Sequence, residues 1–354
     1  MFRGSRRGRD LRYRRVALYL CGGESPVSEY PLGLAYLRTT ALALGANVDI
    51  LRNPSRLSHY DLVGLSSNAW GVAEAVQILD TLNVPVAIGG QATLWEGLRQ
   101  CGFRHIVVGE GEAAFGDILR GAEDRVLRYA PAADIDRFPF PDRGRCDQVV
   151  PILSSRGCPY TCRFCSSRVF WQKARFHSPE YFIDEVDHLA KRYPRATVLY
   201  ILDDLFISHK PRLREIHRRW MSRGHHRRFE PRGFVRSGVL DPDTAQIMKE
   251  MGFRRVRFGA ESGSDRMLDL LGKGATVAQH QETIETALGA GLEVSASFMH
   301  SLPGETDDDR RLTEAFLERN RGKLHVEGSY TFKAFPGTEM WDGADPCAVD
   351  LRVR

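Results

Sequence analysis

The sequence predicts an α/β protein in two parts: a doubly wound parallel-sheet domain followed by a six-stranded partial (βα) barrel of the TIM type. Three observations support this. Short runs rich in Val, Ile and Leu alternate with helix-length segments through both halves, and runs without strict polar alternation suit strands buried on both faces of a parallel sheet. A proline-bearing stretch, Phe138-Pro139-Phe140-Pro141-Asp142, separates the halves. Three closely spaced cysteines then follow the first apolar run of the second half.

In the first half the strand-like runs are 16–20, 48–51, 62–66, 84–88 and 106–108, with a helix expected over 33–44 and stopped by Gly45. Ligands of such sheets collect at the carboxyl ends of the strands. There the chain places Gly22-Gly23, Ser66-Ser67-Asn68, Gly89-Gly90 and Gly109-Glu110-Gly111-Glu112. These glycines either admit close approach of a ligand or simply close βα turns.

In the second half the runs are 149–153, 198–202, 229–234, 255–259, 293–299 and 330–335. Ser178-Pro179-Glu180 supplies an N-cap, a first-turn proline and an early acid; Asp243 and Thr276 are further cap candidates, and Gly252 and Gly291 further stops. The expected organisation is a basic tail over 1–13, a first domain over 14–122, a linker over 123–148, the barrel over 149–342 and a C-terminal tail over 343–354.

The 354 residues, 42% apolar and 27% charged, suit a globular chain of two domains at roughly 150 residues each. No apolar run approaches the ~20 residues of a membrane helix, no signal peptide is visible, and seven cysteines form an odd count. A reducing cytoplasmic setting is expected, with no membrane partner. The net charge of +5 is concentrated at 3–15 and 212–232. Such Arg-rich stretches read as solvated helix faces more readily than as nucleic-acid sites.

Cys158, Cys162 and Cys165 form a C-x3-C-x2-C set. Three thiolates at this spacing suit three irons of a four-iron cluster, leaving the fourth iron open; clusters dedicated to electron transfer take four cysteines. A zinc site asks for a fourth Cys or His, and a disulfide scaffold suits a small secreted domain. Barrel chemistry belongs at the carboxyl ends of the strands, where Asp203-Asp204, Arg236 and the segment Gly259-Ala260-Glu261-Ser262-Gly263-Ser264 fall. His300 and, near the sixth strand, Glu327, Tyr330 and Lys333 also reach the mouth and are the candidates for substrate chemistry.

With the G-x-E-S-G-S segment and the Pro303-Gly304-Glu305-Thr306 turn, the cysteine set resembles the radical S-adenosylmethionine (SAM) enzymes. The resemblance implies a [4Fe-4S] cluster on Cys158, Cys162 and Cys165, with SAM chelating the open iron and cleaved to a 5′-deoxyadenosyl radical that abstracts hydrogen. It also implies SAM contacts from Phe164 (adenine), Asp203 or Asp204 (amine), Arg236 and Ser262 (carboxylate) and Glu261 (ribose or amine). Ser301 stands where relatives carry glycine. An external one-electron reductant, such as flavodoxin or ferredoxin, is implied as a partner.

The turns of residues 14 to 120, with Pro31-Leu32-Gly33-Leu34-Ala35-Tyr36-Leu37 ahead of the first helix, resemble the cobalamin-binding domain that precedes the barrel in one class of these enzymes. The D-x-H-x-x-G motif of an axial histidine is absent. Cobalamin is left open, with a scaffold role favoured. At whole-chain level the resemblance is to compact enzymes of antibiotic biosynthesis acting on sugars, including the cytosylglucuronate decarboxylase type. The first expectation is therefore decarboxylation or dehydration of a sugar or nucleoside. The second is cobalamin-dependent methylation of a small metabolite. A cobalamin or redox sensor is the non-enzymatic alternative, and the SAM-contact residues count against it.

Overall fold

The computed structural model describes residues 11–23, 31–343 and 345. The expected basic tail up to residue 10, Cys347 and most of the expected C-terminal tail lie outside the described residues.

The first domain is one parallel sheet in the order β2-β1-β3-β4-β5-β6, formed by β1 (Arg15–Cys21), β2 (Asn47–Leu51), β3 (Leu62–Ser67), β4 (Val86–Gly89), β5 (His105–Val108) and β6 (Val126–Arg128). Strand order reverses between β1 and β3, as in doubly wound folds. Helices α1 (Leu32–Leu44) and α3 (Gly111–Arg120) pack on one face, and α2 (Val72–Thr81) packs on the other. Strands β1 and β5 are apolar on both faces because both are covered. The α1 helix ends at Gly45, whose φ of 90° is the left-handed conformation that closes a helix.

Two expectations shift here. The fourth strand starts at Val86, because the preceding Pro85 has no N–H to donate to the ladder. The stretch assigned to the linker begins with β6, three residues long and alternately exposed, too short and too polar to register as an apolar run.

The second domain joins two three-stranded parallel sheets. One has the order β11-β10-β7, from β7 (Val149–Ile152), β10 (Val198–Ile201) and β11 (Glu230–Arg232); the other has the order β12-β13-β14, from β12 (Arg255–Glu261), β13 (Glu293–His300) and β14 (Leu324–Thr331). A parallel bridge between Phe234 and Arg257 connects them. A short antiparallel pair, β8 (Ser155–Arg156) with β9 (Arg175–Phe176), brackets the cysteine loop and α4 (Ser166–Trp171). Helices α5 (Pro179–Arg192), α6 (Lys210–Ser222), α7 (Pro242–Met251), α8 (Asp265–Leu270), α9 (Val277–Gly289) and α10 (Asp307–Arg319) complete the domain. The core lies between strands and helices, around Phe182, Trp220, Phe253 and Phe258.

Ser178 caps α5 by accepting from Tyr181 N, and Thr276 with Gln279 forms a capping box on α9. The cap of α7 is Asp241, whose side chain accepts from Thr244 N, where the sequence pointed to Asp243. The sixth strand is 324–331 in place of 330–335. It pairs only with β13 and is largely exposed, so its polar sequence lacks the apolar signature of the others. The basic α6 stretch is an ion-paired surface: Arg218 and Arg219 hold Glu215, and Arg223 holds Asp187. Among the described residues, no helix is long and apolar enough to cross a membrane.

Candidate active site

The cysteine loop is held from below and behind. Asp203, fully buried at the end of β10, accepts from Ser154 N (2.6 Å), Ser154 Oγ (2.5 Å), Ser155 N (3.1 Å) and Ser155 Oγ (2.7 Å). Four bonds from the strand that enters the loop make it the anchor of that turn. Gly157 then adopts a φ of +83°, and a Cβ there would stand 2.9 Å from Lys173 O and from Trp171 Cβ. Cys165 N donates to Cys162 O, and α4 starts directly after Cys165.

Asp204 accepts from Ser167 Oγ at 2.6 Å on that helix. It keeps accessible surface, yet desolvation raises its pKa, and its charge acts on both Cys158 and Cys165. Of the acidic pair, Asp204 is therefore the carboxylate open to a ligand, and Asp203 is committed to the loop.

Cys158, Cys162 and Cys165 are unpaired thiols. Burial raises the pKa of Cys158, and raises that of Cys165 to about 11, so their thiolates need cationic stabilisation. Arg236 supplies a cation: its Nη1 lies 3.6 Å from Cys162 Sγ, and its guanidinium stacks 3.9 Å from the Tyr160 ring centroid. Its Nε and Nη2 are buried without a protein partner. Buried guanidinium donors without acceptors are rare, and an anionic group beside Cys162 would satisfy them. The donor chemistry thus fits a thiolate-held cluster with a carboxylate-bearing ligand on its open iron. Among the described residues, no three His, Cys, Asp or Glu side chains converge on a single-ion site; thiolates that take one iron each need not converge.

Across the barrel mouth, β12 ends in Glu261, in the left-handed region at φ +65°. Its Oε1 accepts from Lys273 Nζ at 2.8 Å, both side chains nearly buried. A Cβ on Gly259 would stand 2.1 Å from the same oxygen, so only glycine fits beneath the carboxylate. Lys273 also lies 5.9 Å from the Phe164 ring, which brings the cysteine loop and Glu261 into one neighbourhood. Sequence reasoning missed Lys273. Its signal was the Gly272-Lys273-Gly274 triplet, whose glycines have φ of +59° and +60° and present the lysine on a sharp turn.

The other candidates disperse. Ser262 faces α10, with Oγ 3.3 Å from Thr313 Oγ1 and accepting from Ser264 N. His300 is exposed, with Nδ1 3.1 Å from Ser301 Oγ, and Ser301 itself has a φ of +59°, the conformation that favours glycine. Glu327 lies lower in the barrel, paired with Arg257 Nε at 2.9 Å and accepting from Ser295 Oγ at 2.9 Å; Tyr200 accepts from the same arginine. Tyr330 is more than half exposed. Lys333 points to the first domain, 6.0 Å from the Trp70 ring.

Between the domains runs a cavity of about 380 Å³. Its walls come from the carboxyl ends of β3, β4 and β5, from α1, and from Phe170 and Trp171 of α4, the helix that follows the cysteines. Gly33 and Gly109 line it, and a Cβ on either would meet nothing within 4 Å, so both leave room beside the backbone.

Residues 152–317 match the Radical SAM superfamily, whose cofactors, a [4Fe-4S] cluster and SAM, agree with the chemistry of the cysteine loop and of Arg236. The chain is 29% identical over 366 residues to an uncharacterised methyltransferase of Pyrococcus horikoshii, covering 89% of this chain and 78% of that one. It is 22% identical over 316 residues to the bacteriochlorophyllide d C-12(1)-methyltransferase of Chlorobaculum tepidum, covering 82% and 67%. Among solved structures it resembles the radical SAM methyltransferase TsrM of Kitasatospora setae with cobalamin and [4Fe-4S] cluster bound (TM-score 0.72, 17% identity, 92% and 74% covered). It also resembles the cobalamin-dependent radical SAM enzyme OxsB (TM-score 0.68, 18% identity), covering 87% of this chain but only 52% of that one.

Proposed function

We propose that this chain is a cobalamin-dependent radical SAM methyltransferase acting on a small metabolite. The observation that carries the reading is the interdomain cavity, which runs from the glycine-lined strand ends of the first domain to the helix following the cluster cysteines. Room beside Gly33 and Gly109 suits a large flat ligand approaching backbone closely, and the methyltransferase relatives supply the reaction class. Methyl transfer therefore replaces sugar decarboxylation or dehydration as the first reading; the relatives compared above give no support to the cytosylglucuronate decarboxylase type.

When bound, cobalamin supplies a metal that accepts a methyl group from SAM and passes it on. The chain's own residues hold and screen. Cys158, Cys162 and Cys165 hold the cluster, Arg236 takes the SAM carboxylate, and Glu261 with Lys273 orients the SAM ribose or amine. Asp204 lies near Cys158 and Cys165, close enough for its charge to act on both. His300, Glu327 and Lys333 remain candidates for substrate contact, with an external one-electron donor as partner.

The test is anaerobic reconstitution with iron and sulfide, then reduction with SAM, hydroxocobalamin and candidate acceptors, followed by chromatography and mass spectrometry. Retained cobalamin with S-adenosylhomocysteine and a product heavier by one methylene supports methyl transfer. 5′-Deoxyadenosine with carbon dioxide, and no S-adenosylhomocysteine, restores the decarboxylase reading.

A further inference from the structure

The sequence places Gly109-Glu110-Gly111-Glu112 among ligand-contacting turns, yet both of its carboxylates are ion-paired to the other domain. Arg156 Nη1 lies 3.1 Å from Glu110 Oε1, and its Nη2 lies 2.6 Å from Glu112 Oε1. Arg175, opposite Arg156 in the β8–β9 pair, adds its Nη2 at 2.7 Å from Glu110. Arg156 is only 3% exposed, and Tyr36, Phe138 and Trp171 close over its guanidinium at 4.8, 4.7 and 5.8 Å. Two carboxylates thus meet two guanidiniums in a nearly dry setting. Burial opposes the charge on Arg156, but Glu112 and Glu110 outweigh it; burial likewise raises the Glu110 pKa, but Arg175 and Arg156 bring it below its ordinary value.

The position of Arg156 gives this clasp its meaning. Only Gly157 separates it from Cys158. The rings and acids around it come from α1, the start of α3, the linker and α4, so one guanidinium touches both domains and both ends of the cysteine loop. Arg156, Glu110, Glu112, Tyr36 and Trp171 also line the interdomain cavity. A ligand there would touch the residues of the clasp, and Arg156 stands two residues from Cys158. Cluster potentials respond to nearby charge, to hydrogen bonds at the sulfurs and to solvent access, all of which move with that loop.

We infer that Arg156, gripped by Glu110 and Glu112, is a positioning residue that couples the interdomain cavity to the reduction equilibrium of the cluster on Cys158, Cys162 and Cys165. The identity of the cavity's occupant rests on the cobalamin reading; the clasp does not. The experiment uses full-length reconstituted protein and EPR-monitored redox titration. Without cobalamin, Glu112→Gln, a change in the other domain, alters the reduced-to-oxidised ratio at a fixed potential at least threefold. Glu74→Gln, which removes an acceptor for Tyr19 and Gly22 outside the clasp, leaves it unchanged. With hydroxocobalamin, the parent shifts by a similar factor and Arg156→Lys does not, although absorbance shows that it still takes up the cofactor.

Iron content and far-UV dichroism confirm that each variant folds and holds its cluster; where Glu112→Gln fails this check, Glu110→Gln takes its place. An unchanged ratio in the folded glutamine variant overturns the inference even if cobalamin binds. Failure of the parent to bind cobalamin overturns the occupant alone, and the ligand-free arm then decides the clasp.

Discussion

At the scale of single residues, the site is a balance of buried charge. Glu261 is held in a left-handed backbone conformation and neutralised by Lys273, while Arg236 carries donors with no protein acceptor. Charged hydrogen bonds of this kind contribute about 1.5–3 kcal/mol each. Glu261→Ala is therefore expected to lower SAM consumption, read as S-adenosylhomocysteine plus 5′-deoxyadenosine, about tenfold or more at limiting SAM while leaving iron content intact, as measured by single-turnover chromatography. Unchanged SAM consumption would sink the assignment. A second residue-scale prediction concerns pH. His280 is buried, its Nε2 donating to Ala260 O, and desolvation brings its pKa down to about 4; His177 is brought to a similar value by the same cause. Both fold in the neutral form. The unfolded chain binds their protons near pH 6.5, so stability is fully present above that value and is lost as pH falls through 6.5 toward 4, by at most about 3 kcal/mol for each histidine. Denaturant titrations between pH 7 and 5 should show this decline, and His280→Gln should flatten it.

At the scale of elements, the buried strands and capped helices were legible because each carries a local signature. The α1 helix and its Gly45 stop, the cap of α5 and the capping box of α9 all follow from propensity and capping chemistry. The polar strands were not legible. β6 and β14 lie at sheet edges, where half the surface faces water and apolar periodicity fades. In the site, the cysteine set stood out by its spacing and Glu261 by its motif, and both remain proposed roles. Lys273 and the commitment of Asp203 to the loop did not stand out, since each depends on a partner distant in sequence. Gly157 shows how an element constrains the chemistry: alanine there meets Lys173 O and Trp171 Cβ at 2.9 Å with φ at +83°. Gly157→Ala should cost about 1–3 kcal/mol of stability and reduce the iron retained after reconstitution, read by iron assay against the parent.

At the scale of the molecule, the linker is a structural member. Arg143 and Glu185 form an ion pair with both side chains fully buried, and Arg143 also donates to Pro151 O and Pro141 O, tying the linker to α5 and β7. Removing one partner leaves an uncompensated buried charge, so Glu185→Leu is expected to destabilise the protein by about 3–5 kcal/mol, seen as a large fall in denaturant midpoint; no change would mean that the pair carries no such weight. The barrel has a different joint. Its two sheets meet through the Phe234–Arg257 bridge, where Val235 N donates to Arg257 O at 2.7 Å, whereas each strand pair within a sheet shares a ladder. The barrel is thus a book whose covers share a narrow spine, with the cysteines on one cover and Glu261 on the other. The backbone ladder is interrupted along that spine while one buried core packs across it, and a ligand bound to both covers adds to what holds them together. Under the assignments proposed above, SAM held by the cysteines' cluster and Glu261 would be the clip that keeps the book shut while it is read.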